Sequence, residues 1–221
     1  LGSKSTAIGA AALNKQNFTS ATDSFNTAVG FSAGKEVTTG IYNTLIGGLA
    51  GDALTDADNN VAVGRAALST DTLGSCSVAI GRNALVTQNF SSATDSFNVA
   101  VGDRAGAAVT TGTLNTLIGG LAGDAITTGN SNVAVGYQTL SADTLGDRNV
   151  AIGLQALMSQ NFTSSTDSYN TAVGYAAGLS VTTGQVNTLV GGLSGDALTT
   201  GGENTAVGYK TLSANTTGAY N

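Results

Sequence analysis

A five-residue signature recurs twelve times along this chain of 221 residues. Each copy reads Asn or Ser, any residue, Ala or Leu, Val or Ile, and then Gly. Its glycines are Gly9, Gly30, Gly47, Gly64, Gly81, Gly102, Gly119, Gly136, Gly153, Gly174, Gly191 and Gly208. Recurrence at fixed intervals is typical of solenoids and fibres, in which each repeat packs only against its neighbours. The chain is therefore predicted to be an array of stacked units.

The repeat has a second level, because every fourth interval between signature glycines is longer than the other three. The first glycines, at positions 9, 30, 47, 64 and 81, already show this order of one long and three short intervals, which then starts again. Four units thus form a 72-residue super-repeat. We expect one continuous array over residues 1–221, with super-repeats at about 1–72, 73–144 and 145–216, and the start of another at 217–221. Since the pattern runs to both ends, we interpret the chain as a segment of a longer fibrous protein.

Composition narrows the possible functions. The eight basic and fourteen acidic residues give a formal net charge of −6 and form no basic cluster, so we expect no nucleic-acid partner. No apolar run approaches the ~18 residues that span a membrane, so no membrane insertion is expected in this segment. The chain has no histidine and a single cysteine, Cys76, which leaves it without the usual general base and without a thiolate metal site.

Carboxylates are the remaining candidates for chemistry. Asp52, Asp124 and Asp196 recur four units apart, roughly 19 Å at the rise of stacked strands, which is too far for an acid/base pair. Calcium needs six to eight oxygen ligands, and no dense Asp/Asn loop of the usual form is present, although residues 56–60 (DADNN) supply several oxygens. We therefore predict no enzymatic activity, no cofactor and no metal.

The unit at 204–220, NTAVGYKTLSANTTGAY, combines a short alternating stretch with Gly-containing turns, which predicts one coil of a parallel β-solenoid. Glycine inside every candidate window disfavours a helix. Side chains alternate along a strand, so Asn204 and Ala206 share one face while Thr205 and Val207 share the other. The predicted fold class is all-β, a parallel β-solenoid or β-roll with 17- and 21-residue coils.

Stacked coils ~4.8 Å apart align equivalent residues into ladders. Asn opens ten of the twelve units, and we expect these inward amides to pair along the axis, with Ser5 and Ser77 as the exceptions. The predicted asparagine ladder is Asn26, Asn43, Asn60, Asn98, Asn115, Asn132, Asn149, Asn170, Asn187 and Asn204.

The fourth signature position is always Val or Ile, which is more apolar than one strand should present to water. We therefore expect this row to meet a partner chain. The candidate interface is Val29, Ile46, Val63, Ile80, Val101, Ile118, Val135, Ile152 and Val173.

Two further features recur. Most 17-residue units carry a threonine two residues before a glycine, as Thr38 is before Gly40, and these threonines form a second ladder. We expect the threonine to support a turn in which that glycine is left-handed. The 21-residue units carry Gln-Asn-Phe and are predicted to form protruding loops or bulged corners. Their phenylalanines are the candidate surface residues for binding, with the alternative that they plug a widened corner. They are Phe18, Phe90 and Phe162.

The units at 132–148 and 204–220 resemble the NTAIGYQAL-type repeats of bacteriophage long tail fibres and bacterial surface fibres. More distantly, the NxAVG signature resembles the head repeats of trimeric autotransporter adhesins. The resemblance implies a left-handed parallel β-roll in which three chains wind about a common axis. It also implies an extracellular role, as a cell-surface filament or the shaft of a virion tail fibre, with any receptor bound through another part of the protein.

These observations predict a structural shaft or adhesin segment that associates with itself as a homotrimer. Viral and cellular origins both remain open at this point. A different class of function is also open, namely a self-contained surface-binding solenoid such as an ice-binding protein, because the threonine ladder offers a regular array of hydroxyl groups.

Overall fold

The computed structural model describes residues 2–221, so Leu1, with which the predicted array begins, lies outside the described residues. All regular secondary structure within residues 2–221 is β-strand, and that range contains no helix. The chain divides into two units, Leu1–Thr111 and Gly112–Asn221. Each unit is an all-β parallel solenoid, as the sequence predicted.

The strands of the first unit are, in chain order, β1 (Gly2–Ser3), β2 (Thr6–Ile8), β3 (Thr22–Asp23), β4 (Thr27–Val29), β5 (Thr44–Ile46), β6 (Val61–Val63), β7 (Gly74–Ser75), β8 (Val78–Ile80), β9 (Thr94–Asp95) and β10 (Val99–Val101). The strands β2, β4, β5, β6, β8 and β10 pair in that order, all parallel. Two short parallel pairs, β1 with β3 and β7 with β9, lie at long coils.

The strands of the second unit are β11 (Thr116–Ile118), β12 (Val133–Val135), β13 (Gly146–Asp147), β14 (Val150–Ile152), β15 (Thr166–Asp167), β16 (Thr171–Val173), β17 (Thr188–Val190) and β18 (Thr205–Val207). The strands β11, β12, β14, β16, β17 and β18 form its parallel stack, and β13 pairs with β15. Equivalent signature positions face each other without slippage, as Leu189 does with Ala206.

The backbone also stacks outside the strands. Thr38 N donates to Thr55 O at 2.9 Å, and Leu49 N donates to Phe31 O at 2.9 Å, although neither pair lies in a strand. Such bonds satisfy backbone groups that would otherwise be buried without partners. A three-residue strand per coil is therefore sufficient, because hydrogen bonds to the neighbouring coil continue through the turns.

Each coil needs unusual backbone angles to close. The signature glycine Gly64 has φ +137°, and a Cβ there would lie 2.5 Å from the carbonyl oxygen of Gly81 in the next coil. Both the angle and the close approach exclude any other residue, which explains why every copy of the signature ends in glycine. Further left-handed positions follow in every coil, and many of them carry a side chain, as Ser32 and Tyr42 do.

The interior is filled by small and large residues in complementary places. Leu45 is fully buried, and a Cβ on Gly34 or Gly51 would lie 2.6 or 2.7 Å from its δ-carbons. Where the third signature position is alanine, the position equivalent to Gly51 is either a leucine, as Leu68 is in the coil of Ala62, or a glycine, as Gly34 is in the coil of Ala28. A leucine therefore enters the core from either place but not from both, which keeps the packing close to native density.

Candidate association surface and buried ladders

The asparagine side chains lie inside the solenoid, as expected, and they mainly bond the backbone. Asn26 Oδ1 accepts from the backbone N of Asn43 at 2.8 Å, and Asn26 Nδ2 donates to the carbonyl of Gly40 at 2.7 Å. Direct amide-to-amide bonds also occur, such as Asn204 Nδ2 to Asn187 Oδ1 at 3.0 Å. The amide ladder thus joins the strand to a turn as well as joining consecutive coils.

The threonine ladder is engaged within the chain. Thr38 Oγ1 donates to Thr55 O at 3.2 Å, and Thr199 Oγ1 donates to Thr216 O at 2.9 Å. At a long coil the ladder ends on asparagine, since Thr144 Oγ1 donates to Asn161 Oδ1 at 3.0 Å. These hydroxyl protons are used in coil-to-coil bonds, so the ladder lends no support to the surface-binding alternative, which stays a prediction.

The prediction of a left-handed glycine at this turn is wrong. Gly40, two residues after Thr38, does not have a positive φ; a Cβ there would instead lie 2.4 Å from the carbonyl oxygen of Ala57. The left-handed residue is Tyr42, with φ 59°. Close approach of the next coil, not backbone angle, accounts for glycine at this turn.

The surface placement of the long-coil phenylalanines is corrected by the structure. Phe18, Phe90 and Phe162 are only 6%, 5% and 4% exposed, so they plug the widened corner, which was the alternative interpretation. The aromatic side chains that do reach the surface of the long coils come from the residue before the next asparagine, namely Phe25, Phe97 and Tyr169. The four inserted residues enlarge the coil, and the apolar ring fills the added space.

A buried polar network beside these rings was missed in the sequence. Asp143 is fully buried and accepts from Gly146 N at 3.0 Å and Gln160 Nε2 at 2.6 Å. Gln160 Oε1 in turn accepts from Asn170 Nδ2 at 2.8 Å. Burial raises the pKa of the Asp143 carboxyl. The signal was available, because Asp, Gln and Asn recur at the same spacing in Asp71, Gln88 and Asn98, where Gln88 makes equivalent contacts.

Charged groups cluster at one corner of the second unit. Asn130, Ser131, Asp147, Arg148 and Asp167 line a polar recess of about 100 Å³. Arg148 forms an ion pair with Asp167 and lies 5.7 Å from the ring centre of Tyr169. Asp147 Oδ1 accepts from Asn130 N at 2.6 Å, and its Oδ2 accepts from Ser165 Oγ at 2.8 Å. The carboxylates here already have donors from the chain itself.

The oxygen-rich stretch at 56–60, for which no metal was predicted, is engaged in a similar way. Asp56 Oδ1 accepts from Thr39 Oγ1, and Asp58 Oδ1 accepts from the backbone N of Ile41 at 2.7 Å. Burial raises the pKa of the Asp58 carboxyl, and burial together with Asp95 raises the pKa of the Cys76 thiol. Among residues 2–221, no group of three or more acidic, cysteine or histidine side chains is placed to hold a metal ion.

The candidate interface row points outward. In the first unit Ile46 and Ile80 are 38% and 37% exposed, and in the second Ile118 and Ile152 are 37% and 38% exposed. The signature alanines behind this row are almost completely buried. The structure therefore gives the strands of each parallel stack an interior face and an outward face that carries a Val or Ile side chain. That the outward row contacts a partner chain stays a prediction.

The residue after the signature glycine lies beside this row, and in the second unit it is never charged. We call the second and fourth signature positions, together with the residue that follows the signature glycine, the outer surface. The residues that follow the signature glycines in the second unit are Gly120, Tyr137, Leu154, Tyr175, Gly192 and Tyr209, and in the first unit Ala10, Phe31, Gly48, Arg65, Arg82 and Asp103. None of the outer-surface residues of the second unit is charged, whereas in the first unit Arg82 pairs with Asp103 at 2.7 Å.

Comparisons with family models, with curated proteins and with solved structures found no match to this chain. The part of the chain described here, residues 2–221, contains no helix long and apolar enough to cross a membrane. The physical features of the outer surface and of the repeat itself are therefore what a functional proposal has to rest on.

Proposed function

We propose that this chain is a structural shaft segment of an extracellular fibre that assembles as a homotrimer through its outer surface. The observation that carries the proposal is the uninterrupted outward row of Val and Ile on the parallel stack of each unit. A row of this kind is costly to leave in water, and a second chain is the natural way to cover it.

The architecture favours a mechanical role over a chemical one. Coil-to-coil hydrogen bonds run through strands and turns alike, so length is gained by adding coils and not by enlarging a core. In this proposal the 72-residue super-repeat is the period of the assembled fibre. The resemblance to tail-fibre and surface-fibre repeats supports an exterior location, with receptor binding assigned to another part of the protein.

The buried polar residues support stability, not catalysis. The asparagine and threonine side chains contact neighbouring coils, and the carboxylate of Asp143 is enclosed by donors from its own chain. No convergent set of a nucleophile, a base and an open cavity is built by these residues. The proposal accordingly assigns no enzymatic step and no cofactor to the segment.

The experiment that tests the proposal is the mass of the segment in solution by light scattering after size-exclusion chromatography. We expect about three times the chain mass of 21.7 kDa. The variant Val135→Asp places a charge on the outer surface and should shift the mass to that of one chain. Thr163→Asp, on the exposed part of a long coil, is the matched control and should leave the oligomer intact. A single-chain mass for the unaltered protein would refute the homotrimer.

A further inference from the structure

Glycine follows the signature glycine at three places, one in each super-repeat, namely Gly48, Gly120 and Gly192. The chain itself gives no reason for the second glycine. Gly48 has no positive φ, and a Cβ built on it meets no atom within 4 Å. A Cβ on Gly192 would make only an ordinary contact, 3.6 Å from the ring of Tyr209.

Other coils carry large side chains at this position. The equivalents of Gly192 in the adjacent coils are Tyr175 and Tyr209, which are 58% and 71% exposed. Backbone bonds place them as direct neighbours, since Leu193 N donates to Tyr175 O and Lys210 N donates to Gly192 O. Gly192 therefore leaves a notch, one coil wide, between two exposed aromatic rings on the outer surface.

We propose that Gly48, Gly120 and Gly192 are notches that each receive a bulky outer-surface side chain from a second copy of this chain, and so fix the axial register between copies. This inference rests on the homotrimer proposed above. In the second unit Tyr137 and Tyr209 each lie one coil after a notch, so a second copy supplies rings at the same four-coil spacing as Gly120 and Gly192. Coils lie ~4.8 Å apart along the stack, so Tyr209 of one copy lies within one coil of Gly192 in a copy held at the same height.

Charge favours a second copy as the occupant. The chain carries a net charge of −6, so copies repel each other wherever their charged surfaces meet. The outer surface of the second unit has no charged residue and can therefore face its own kind.

The test fills a notch without disturbing the coil. Gly192→Tyr introduces the residue that the neighbouring coils already carry at this position, and Gly48→Phe repeats the test beside Phe31 in the other unit. We expect each variant to keep the circular dichroism spectrum of the unaltered protein and to weaken self-association at least tenfold, measured by sedimentation across a dilution series. Thr163→Tyr, away from the outer surface, should not change association.

The outcomes separate the two proposals. If the unaltered protein is an oligomer and both filled variants associate equally well, the notches have no role in register and this inference is overturned, while the shaft proposal stands. If the unaltered protein is a single chain at every concentration, both proposals fail together. Should one filled variant lose its fold, the variant in the other unit decides whether filling a notch weakens association.

Discussion

The two glycines at 47 and 48 make a paired test of why the signature ends in glycine. They are adjacent in sequence, yet their surroundings differ completely. Gly47 has φ +134°, and a Cβ there would lie 2.5 Å from the carbonyl oxygen of Gly64 and 2.7 Å from its carbon. Gly48 has no positive φ and no atom within 4 Å of a built Cβ.

The expected magnitudes follow from these contacts. In Gly47→Ala the obstructing atoms belong to the backbone of the next coil, which cannot move without breaking the bond from Gly64 N to Ile46 O. Backbone strain of ~1–3 kcal/mol and overpacking of ~1–3 kcal/mol combine to a loss of about 2–6 kcal/mol in the free energy of unfolding. Gly48→Ala creates no such contact within the chain and reduces the conformational entropy of the unfolded state, so it should raise the free energy of unfolding by ~0.4–1 kcal/mol.

The assay is urea unfolding followed by circular dichroism, with both variants and the unaltered chain diluted until each is a single chain, so that contacts between copies do not contribute. The comparison of the two alanines matters more than either value alone. Equal changes in the unfolding free energy of the two variants would refute the reasoning, because they would mean that the close approach of the next coil does not determine the signature.

Two further predictions concern the interior. Leu45→Ala should lower the free energy of unfolding by ~2–5 kcal/mol. The double variant with Gly51→Ala should lose at least ~1 kcal/mol less than the sum of the two single changes, because the alanine methyl then occupies space that Leu45 vacated. Additive losses in urea unfolding would contradict the packing described. Burial raises the pKa of Asp143 above its unfolded value of ~4, so its stabilising contribution is complete below that pH and is lost as pH rises through the folded value. Asp143→Asn, which copies the native Asn215 at the equivalent turn, should therefore show a smaller fall in unfolding free energy between acidic and neutral pH, and parallel pH profiles would count against a raised pKa.

Much of the coil could be predicted because its faces alternate. Ala206 and Asn204 differ from Val207 in size and polarity at a period of two, and this pattern alone separates inside from outside. The parallel stack also followed from the fixed interval between signature glycines. These features depend on residues close together in sequence, where strand geometry is sufficient.

The rest depends on contacts between coils, which a local pattern does not reveal. Gly40 is required by the carbonyl of Ala57 in the next coil, so its backbone angle was predicted wrongly. Phe162 is buried because the inserted residues widen the corner, and the candidate surface role assigned to it ignored that space. Leucine occupies either the third signature position, as Leu45 does, or the fourth residue after the signature glycine, as Leu68 does. This exchange is written in the repeat, but only a comparison of whole coils reveals it.

The asparagine ladder gives the stack a direction. Asn43 Oδ1 accepts from the backbone N of Asn60, and Asn60 Oδ1 accepts from Ser77, so each side chain reaches toward the coil that follows it in sequence. A finished coil thus presents an acceptor at the place where the next strand has to begin. We expect a nascent chain to add coils in order from its amino side, with every new coil templated by the last.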